Sequence, residues 1–394
     1  MHNWQKGSFQ IVAGLLATTL LTVVYWRAVD KDWSAFILLS NDHIDETTFN
    51  KAVTFYSHDG YDGQFFYALA LSPFESVTAT ASPPSENSFA QSTDSGITID
   101  NPVLRTKRIG YPLLAWAANG FGQGDYLPFA MVLINILGIG IALGTCLLMT
   151  TLFKAPSYYC LMPLAFIGVW ICLFRDLSDH LGAAFGLLSL YFLLKDRFWA
   201  FALLGIIAML TKETVVFILL GGAVAKGMNV LQRKQFGRAV LLSLPFLAYV
   251  GWSTFLGWNT PSDGTLLKHF DWPFAGIARG YAEASPRPLF WLGTFVPVAL
   301  ISLEGLLELR KTRLSNLVQP VTLLFLFNLA FVLVLSKAIY EDPFSFARNL
   351  LPLQYAALLL LMQQKQSVSW FTILVSTGTT SLFLIAFILQ LHYS

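Results

Sequence analysis

Apolar residues along this chain gather in blocks of about twenty, and the blocks recur from Phe9 to the C-terminus. A block of that length crosses a hydrocarbon core about 30 Å thick as an α-helix. The strands of a closed barrel would instead show short segments of alternating apolar and polar positions, and these are absent. The pattern therefore predicts an all-α polytopic membrane protein. Its spans are expected near 8–26, 126–152, 156–174, 178–194, 238–258, 288–307, 316–338, 346–362 and 370–391. Between 198 and 226 the polar run Thr211-Lys212-Glu213-Thr214 divides an apolar stretch into two halves. Each half is too short for an upright span, so two short helices meeting at a polar apex are expected. The expected total is ten or eleven transmembrane helices. The first block ends in Tyr25-Trp26-Arg27, which is no small-residue cleavage site, and so reads as a retained helix.

Charge gives the helices a direction. Lys226, Arg233, Lys234 and Arg238 crowd one short loop, and Arg310, Lys311 and Arg313 another. The positive-inside rule places both in the cytoplasm. The segment 28–125 then faces outward, and between Ala28 and Leu104 it carries eleven carboxylates against two lysines. Within this first outward loop, Gln64–Ser72 reads as a short helix at the membrane surface, and Ile109–Gly120, with Pro112 inside it, as a re-entrant or surface-lying helix. Ser76–Asn101, rich in Ser, Thr, Pro and Ala, has few large apolar residues and reads as a flexible insert at 76–101, dispensable for folding. The whole chain, 1–394, is expected to form one membrane domain.

Composition agrees and narrows the function classes. Hydrophobic residues make up 55% and charged residues 12%, against roughly a quarter charged in soluble proteins. The net charge of +2 comes from basic residues in short loops and forms no stripe, so no nucleic-acid partner is expected. Cys146, Cys160 and Cys172 all fall inside apolar blocks, as structural thiols do.

Ionisable groups at membrane depth are costly unless they line a cavity or reach the interface. Five clusters raise the question: Asp59 and Asp62; Arg105, Lys107 and Arg108; Arg175, Asp176, Asp179 and His180; Lys212 and Glu213; and Arg348. Each has a structural explanation of its own. Asp-Gly is a common turn dipeptide. Arg108 with Trp116 suits an interfacial anchor. Arg175-Asp176 suits a loop ion pair, and Asp179 a helix N-cap. Lys212-Glu213 suits a pair at a helix break, although adjacent helical side chains do not face each other and so favour separate partners. Arg348 suits a snorkelling side chain. Under the expected topology all five clusters lie at the outer face. Acids and bases together at a water–lipid boundary suit a phosphate-bearing lipid with a polar head.

Asp59-Gly-Tyr-Asp62-Gly-Gln-Phe-Phe-Tyr67, followed by Arg108-Ile-Gly-Tyr-Pro-Leu-Leu-Ala-Trp116, resembles bacterial members of the GT-C superfamily of membrane glycosyltransferases. Leu210-Thr-Lys-Glu-Thr214 and Arg348-Asn-Leu-Leu-Pro352 are similar to further elements of that group. The resemblance covers these short stretches and the hydropathy pattern. It implies an inverting transferase of a bacterial inner membrane with its active site facing the periplasm. The donor would be a polyprenyl-phosphate sugar, and the acceptor a glycan, lipid or protein. Asp62 would be the general base, with Asp59 second. Arg108, Lys212 and Arg348 would contact the donor phosphate. Gln64, Tyr111, Asp176, Asp179, His180 and Glu213 would support them. No cofactor is expected, a divalent cation at the phosphate being the one addition this chemistry would accept. There is no Gly-rich phosphate loop in a strand–helix context, so no nucleotide-sugar site is expected. Two rival classes share the setting, an O-antigen polymerase or ligase and a lipid-carrier flippase or transporter. The first usually places its large outward loop late in the chain. The second would spread its charges through the membrane depth, and usually shows repeated halves that this sequence lacks.

Overall fold

The computed structural model describes residues 2–44, 53, 60–74, 91–92, 97–100, 102–122, 124–257, 270–283, 288–311 and 317–390. Helices dominate: α1 His2–Ala28, α2 Gly63–Leu71, α3 Pro102–Thr106, α4 Gly110–Ala118, α5 Leu127–Phe153, α6 Ile167–Phe174, α7 Asp179–Leu194, α8 Phe198–Thr211 and α9 Val216–Gln232. They continue with α10 Phe236–Gly257, α11 Ala275–Glu283, α12 Pro288–Arg310, α13 Pro320–Leu333, α14 Lys337–Tyr340, α15 Pro343–Asn349, α16 Leu351–Gln363 and α17 Trp370–Gln390. The multi-pass membrane architecture follows from their length and apolarity. Six stretches among the described residues suffice to cross a membrane: Gln5–Ala28, Leu127–Phe153, Glu213–Gln232, Phe236–Leu256, Trp291–Arg310 and Trp370–Leu389.

The expected ten or eleven spans thus come down to six, or up to eight when two bent pairs are each counted as one. Ser157–Ala165, a 3₁₀ segment containing Pro163, meets α6 at 57°, and α15 meets α16 at 41° just before Pro352. Proline removes a backbone donor and crowds the preceding turn, which breaks the helix at these places. Three further apolar helices, α7, α8 and α13, have 16, 14 and 14 residues. That is short of the ~20 an upright span needs. The break lies where the sequence predicts it: α8 ends at Thr211, Lys212 is extended, and a 3₁₀ turn Glu213–Val215 leads into α9. The second half is not short, however, for Glu213–Gln232 is long and apolar enough to cross a membrane, because α9 runs on past Lys226 to Gln232.

Two expectations for the first loop change. α2 does not lie on the surface, for eight of its nine residues, Gly63 to Ala70, are buried. A Cβ on Gly63 would sit 2.4 Å from the Arg175 carbonyl oxygen and 2.9 Å from that of Ile37, so glycine alone admits this wedge between two chain segments. The insert, too, is ordered at its end. β1 Gln91–Ser92 pairs antiparallel with β2 Thr98–Ile99, and Ile97 bridges to Ile44. Ile97 and Ile99 are fully buried in the main core, which accounts for the order: two isoleucines supply the apolar surface that the rest of the insert lacks. Over 97–100 the segment expected to be flexible is therefore packed against the core.

Candidate functional site

Five separated stretches of chain bring their charged residues to one place. Asp62 precedes α2, Arg105 ends α3 and Arg108 follows it, Asp179 opens α7, Lys212 and Glu213 form the break between α8 and α9, and Arg348 lies in the last turn of α15. A close backbone approach makes one junction. A Cβ on Gly110 would lie 2.6 Å from Thr211 Oγ1, so α4 can start against the end of α8 and set Arg108 beside Glu213.

The result is an unbroken alternation of acid and base. Asp100 accepts two hydrogen bonds from Arg105, Nε to Oδ1 at 2.9 Å and Nη2 to Oδ2 at 2.8 Å. Arg105 Nη2 also lies 2.9 Å from Asp62 Oδ1. Arg348 Nη2 donates to Asp62 Oδ2 at 2.6 Å, and its Nη1 lies 3.6 Å from Asp179 Oδ2. Lys212 Nζ is 2.7 Å from Asp179 Oδ1 and 3.9 Å from Glu213 Oε1. Arg108 closes the series with a two-pronged contact to Glu213, Nε to Oε2 at 2.8 Å and Nη2 to Oε1 at 2.6 Å. Four acids alternate with four bases, so the series is neutral as a whole. The Asp100 side chain is 42% exposed at one end, while Lys212 and Asp179 are 3% exposed in the interior.

Asp62 occupies the centre of the charge. Burial pushes its carboxyl up, but the Arg105 and Arg348 guanidiniums outweigh burial and hold it well below the usual carboxylate range. Beside it, burial drives the Tyr61 hydroxyl well above its ordinary value. Tyr61 donates to Asp342 at 3.2 Å, and the Arg348 guanidinium stands 5.4 Å above the Tyr61 ring. Arg348 is not fully satisfied: its Nε is buried with no hydrogen-bond partner. Among the bases of the series, Arg348 is the one with buried nitrogens, Nε and Nη1, that donate no hydrogen bond.

The residues expected at the site divide into two groups. Asp62, Arg108, Lys212, Arg348, Asp179 and Glu213 converge, and Lys212 and Glu213 do take separate principal partners. Asp59 lies outside the described residues. Gln64 points elsewhere, accepting from the Ser40 backbone at 3.0 Å. Asp176, Tyr111 and Asn135 form a second buried cluster, with Asp176 Oδ1 accepting from Asn135 Nδ2 at 3.3 Å and Tyr111 Oη at 3.4 Å. His180 sits against Tyr355, Nδ1 to Oη 3.4 Å. Asp176 makes no loop pair with Arg175, whose Nη1 donates to Tyr25 and whose guanidinium stacks 4.3 Å from the Phe387 ring. Nor does Asp179 cap α7, since its carboxylate is engaged by Lys212. Sequence reasoning left two members without a role. Arg105 belonged to a recognised basic cluster, whereas Asp100 was hidden in the insert, where a lone aspartate gives no signal.

Among the described residues no three or more His, Cys, Asp or Glu side chains converge as metal ligands. Comparison with protein-family models, curated proteins and solved structures found no match.

Proposed function

We propose that this protein is a membrane glycosyltransferase that moves a sugar from a polyprenyl-phosphate donor to a glycan, lipid or protein acceptor. The observation that supports this reading best is the alternating series itself. It joins a carboxylate to several fixed cations where one long helix ends. From Glu213 the α9 segment runs twenty residues, about 30 Å, to the basic loop at 233–238. By the positive-inside argument, the series then belongs to the outer face, the periplasmic side of a bacterial inner membrane.

In this scheme the acceptor hydroxyl attacks the anomeric carbon while its proton passes to Asp62. The bond from that carbon to the lipid phosphate breaks, and the negative charge growing on the phosphate is met by Arg348, Lys212 and Arg108. The pairing of Asp62 adds a requirement. A carboxylate held by two guanidiniums is a poor base, so donor binding must draw one of them away. Arg348 suits that part because its Nε lacks a partner and Lys212 already compensates Asp179. The phosphate would then weaken the Arg348–Asp62 contact and raise the basicity of Asp62 only when donor is present. A purely structural clamp is the rival reading, since the cations are all compensated without any ligand.

The test is sugar transfer by Asp62→Asn, with mass spectrometry of lipid-linked and surface glycans from cells with and without the protein. The expected result is loss of one sugar residue and a fall in transfer of about a hundredfold or more. Normal transfer by Asp62→Asn would rule out the general-base role. An accumulated, intact lipid-linked precursor would point to a polymerase, ligase or flippase.

A further inference from the structure

A second feature lies at the other end of α16 from Arg348. A cavity of about 740 Å³ opens between α1, the 3₁₀ segment 157–165, α6 and α17. Ala17 and Leu21 of α1, Leu161, Trp170, and Thr377 and Ser381 of α17 line it. Its origin is the bend at Phe166: a span broken by 57° leaves space that a straight helix would fill. We propose that this cleft is a lipid-chain site, holding one hydrocarbon chain of a bilayer lipid.

Three observations select that occupant. The first is depth: α1 and α17 are both long apolar spans, and only 22% and 28% of their most apolar windows is buried, so the cleft between them opens toward lipid. The second is chemistry. No charged residue lines the cleft. Of its polar groups, Thr377 donates to the Ile373 carbonyl, Thr380 to that of Ala165, and the Trp170 indole to that of Leu164. Most of the lining surface is hydrocarbon, to which Tyr158, Ser367, Ser369 and Ser381 add hydroxyls. The third is size. A transmembrane helix about 10 Å across displaces roughly 2,400 Å³ over a core about 30 Å thick. The cleft offers about a third of that, too little for a partner helix, and lies within the range of ligand pockets. Acyl and isoprenyl chains share the chemistry required.

The proposal does not rest on the transferase reading, and it is tested without an activity assay. The chain 1–394, purified in mild detergent, is examined by native mass spectrometry. One lipid per chain should remain bound. Ala17→Phe and Ser381→Phe, which fill the cleft from α1 and from α17, should each lower the retained fraction about tenfold. Leu247→Phe, on the exposed face of α10, should leave it unchanged. Melting curves accompany each variant, and Ala17→Leu with Ser381→Val replaces any that fails to fold. Titration of the delipidated protein with dioleoyl phosphatidylcholine or with a polyprenyl phosphate distinguishes the acyl from the isoprenyl source. Absence of retained lipid in the wild type, or equal loss in Leu247→Phe, would overturn the site. So would a co-purified protein displaced by the filling variants.

Discussion

Asp62 and Asp176 are both enclosed acids, and their surroundings are opposite. Asp62 faces two guanidiniums, whereas Asp176, fully buried, is met only by an amide and a phenol. Burial pushes the Asp176 carboxyl well above its ordinary range, with only small opposition from Asn135 and Tyr111. At Asp62 burial acts in the same direction and the two arginines reverse it. Desolvation alone makes a buried acid neutral, and a paired cation is what keeps one charged. The two clusters therefore respond differently to the same substitution. One is a set of charges that depend on one another, the other a neutral hydrogen-bonded group.

The largest effect is expected where a charge loses its main partner in the interior. Lys212→Met leaves Asp179, 3% exposed, with only the 3.6 Å contact to Arg348. Thermal or denaturant unfolding in detergent should show a loss of about 3 to 5 kcal/mol. A loss within about half a kcal/mol would mean that the series contributes nothing to folding.

Arg348→Ala comes next and sharpens the division between binding and folding. Its two acids each keep a second cation, Asp62 retaining Arg105 and Asp179 retaining Lys212. Stability should therefore fall less than in Lys212→Met. Affinity for a polyprenyl-phosphate donor should drop about ten- to a hundredfold, the worth of a charge-assisted contact of about 1.5 to 3 kcal/mol. Unchanged donor affinity, measured by equilibrium binding, would assign Arg348 to the clamp alone.

The smallest effect concerns Asp176 and is seen through pH. A carboxyl whose folded pKa is raised favours the fold below its unfolded value near 4, and that contribution is lost as pH rises toward the folded pKa. Asp62 has the opposite sign: its contribution is complete above about pH 4 and declines only below it. Asp176→Asn should thus be nearly neutral at or below about pH 4 and gain on the wild type as pH rises toward about 8. A melting-temperature difference independent of pH would show Asp176 to be ionised in the fold.

Much of the site was legible in the sequence because charged residues in a chain only 12% charged are conspicuous. Six expected residues do converge, although each cluster also had a local explanation. The misassigned ones share a cause. Gln64 and Asp176 stand next to site residues along the chain, but side-chain direction depends on backbone path, and Asp176 adopts a left-handed φ of 46° that turns it away. Asp100 was invisible because its part depends wholly on Arg105 being opposite.

The sequence by itself determined the medium and the class of fold, because hydrocarbon admits only backbone whose polar groups are paired within the segment, and a twenty-residue apolar block meets that condition as a helix. It also located the helix break at Lys212. Tertiary structure decided which helices stop short: α7, with 16 residues, begins where Asp179 meets Lys212. It decided the burial of α2, through the backbone approach at Gly63. Above all it decided the pairing of the charges. Coulomb attraction falls with distance and grows with burial, and neither can be known until segments as far apart as residues 62 and 348 lie within 2.6 Å.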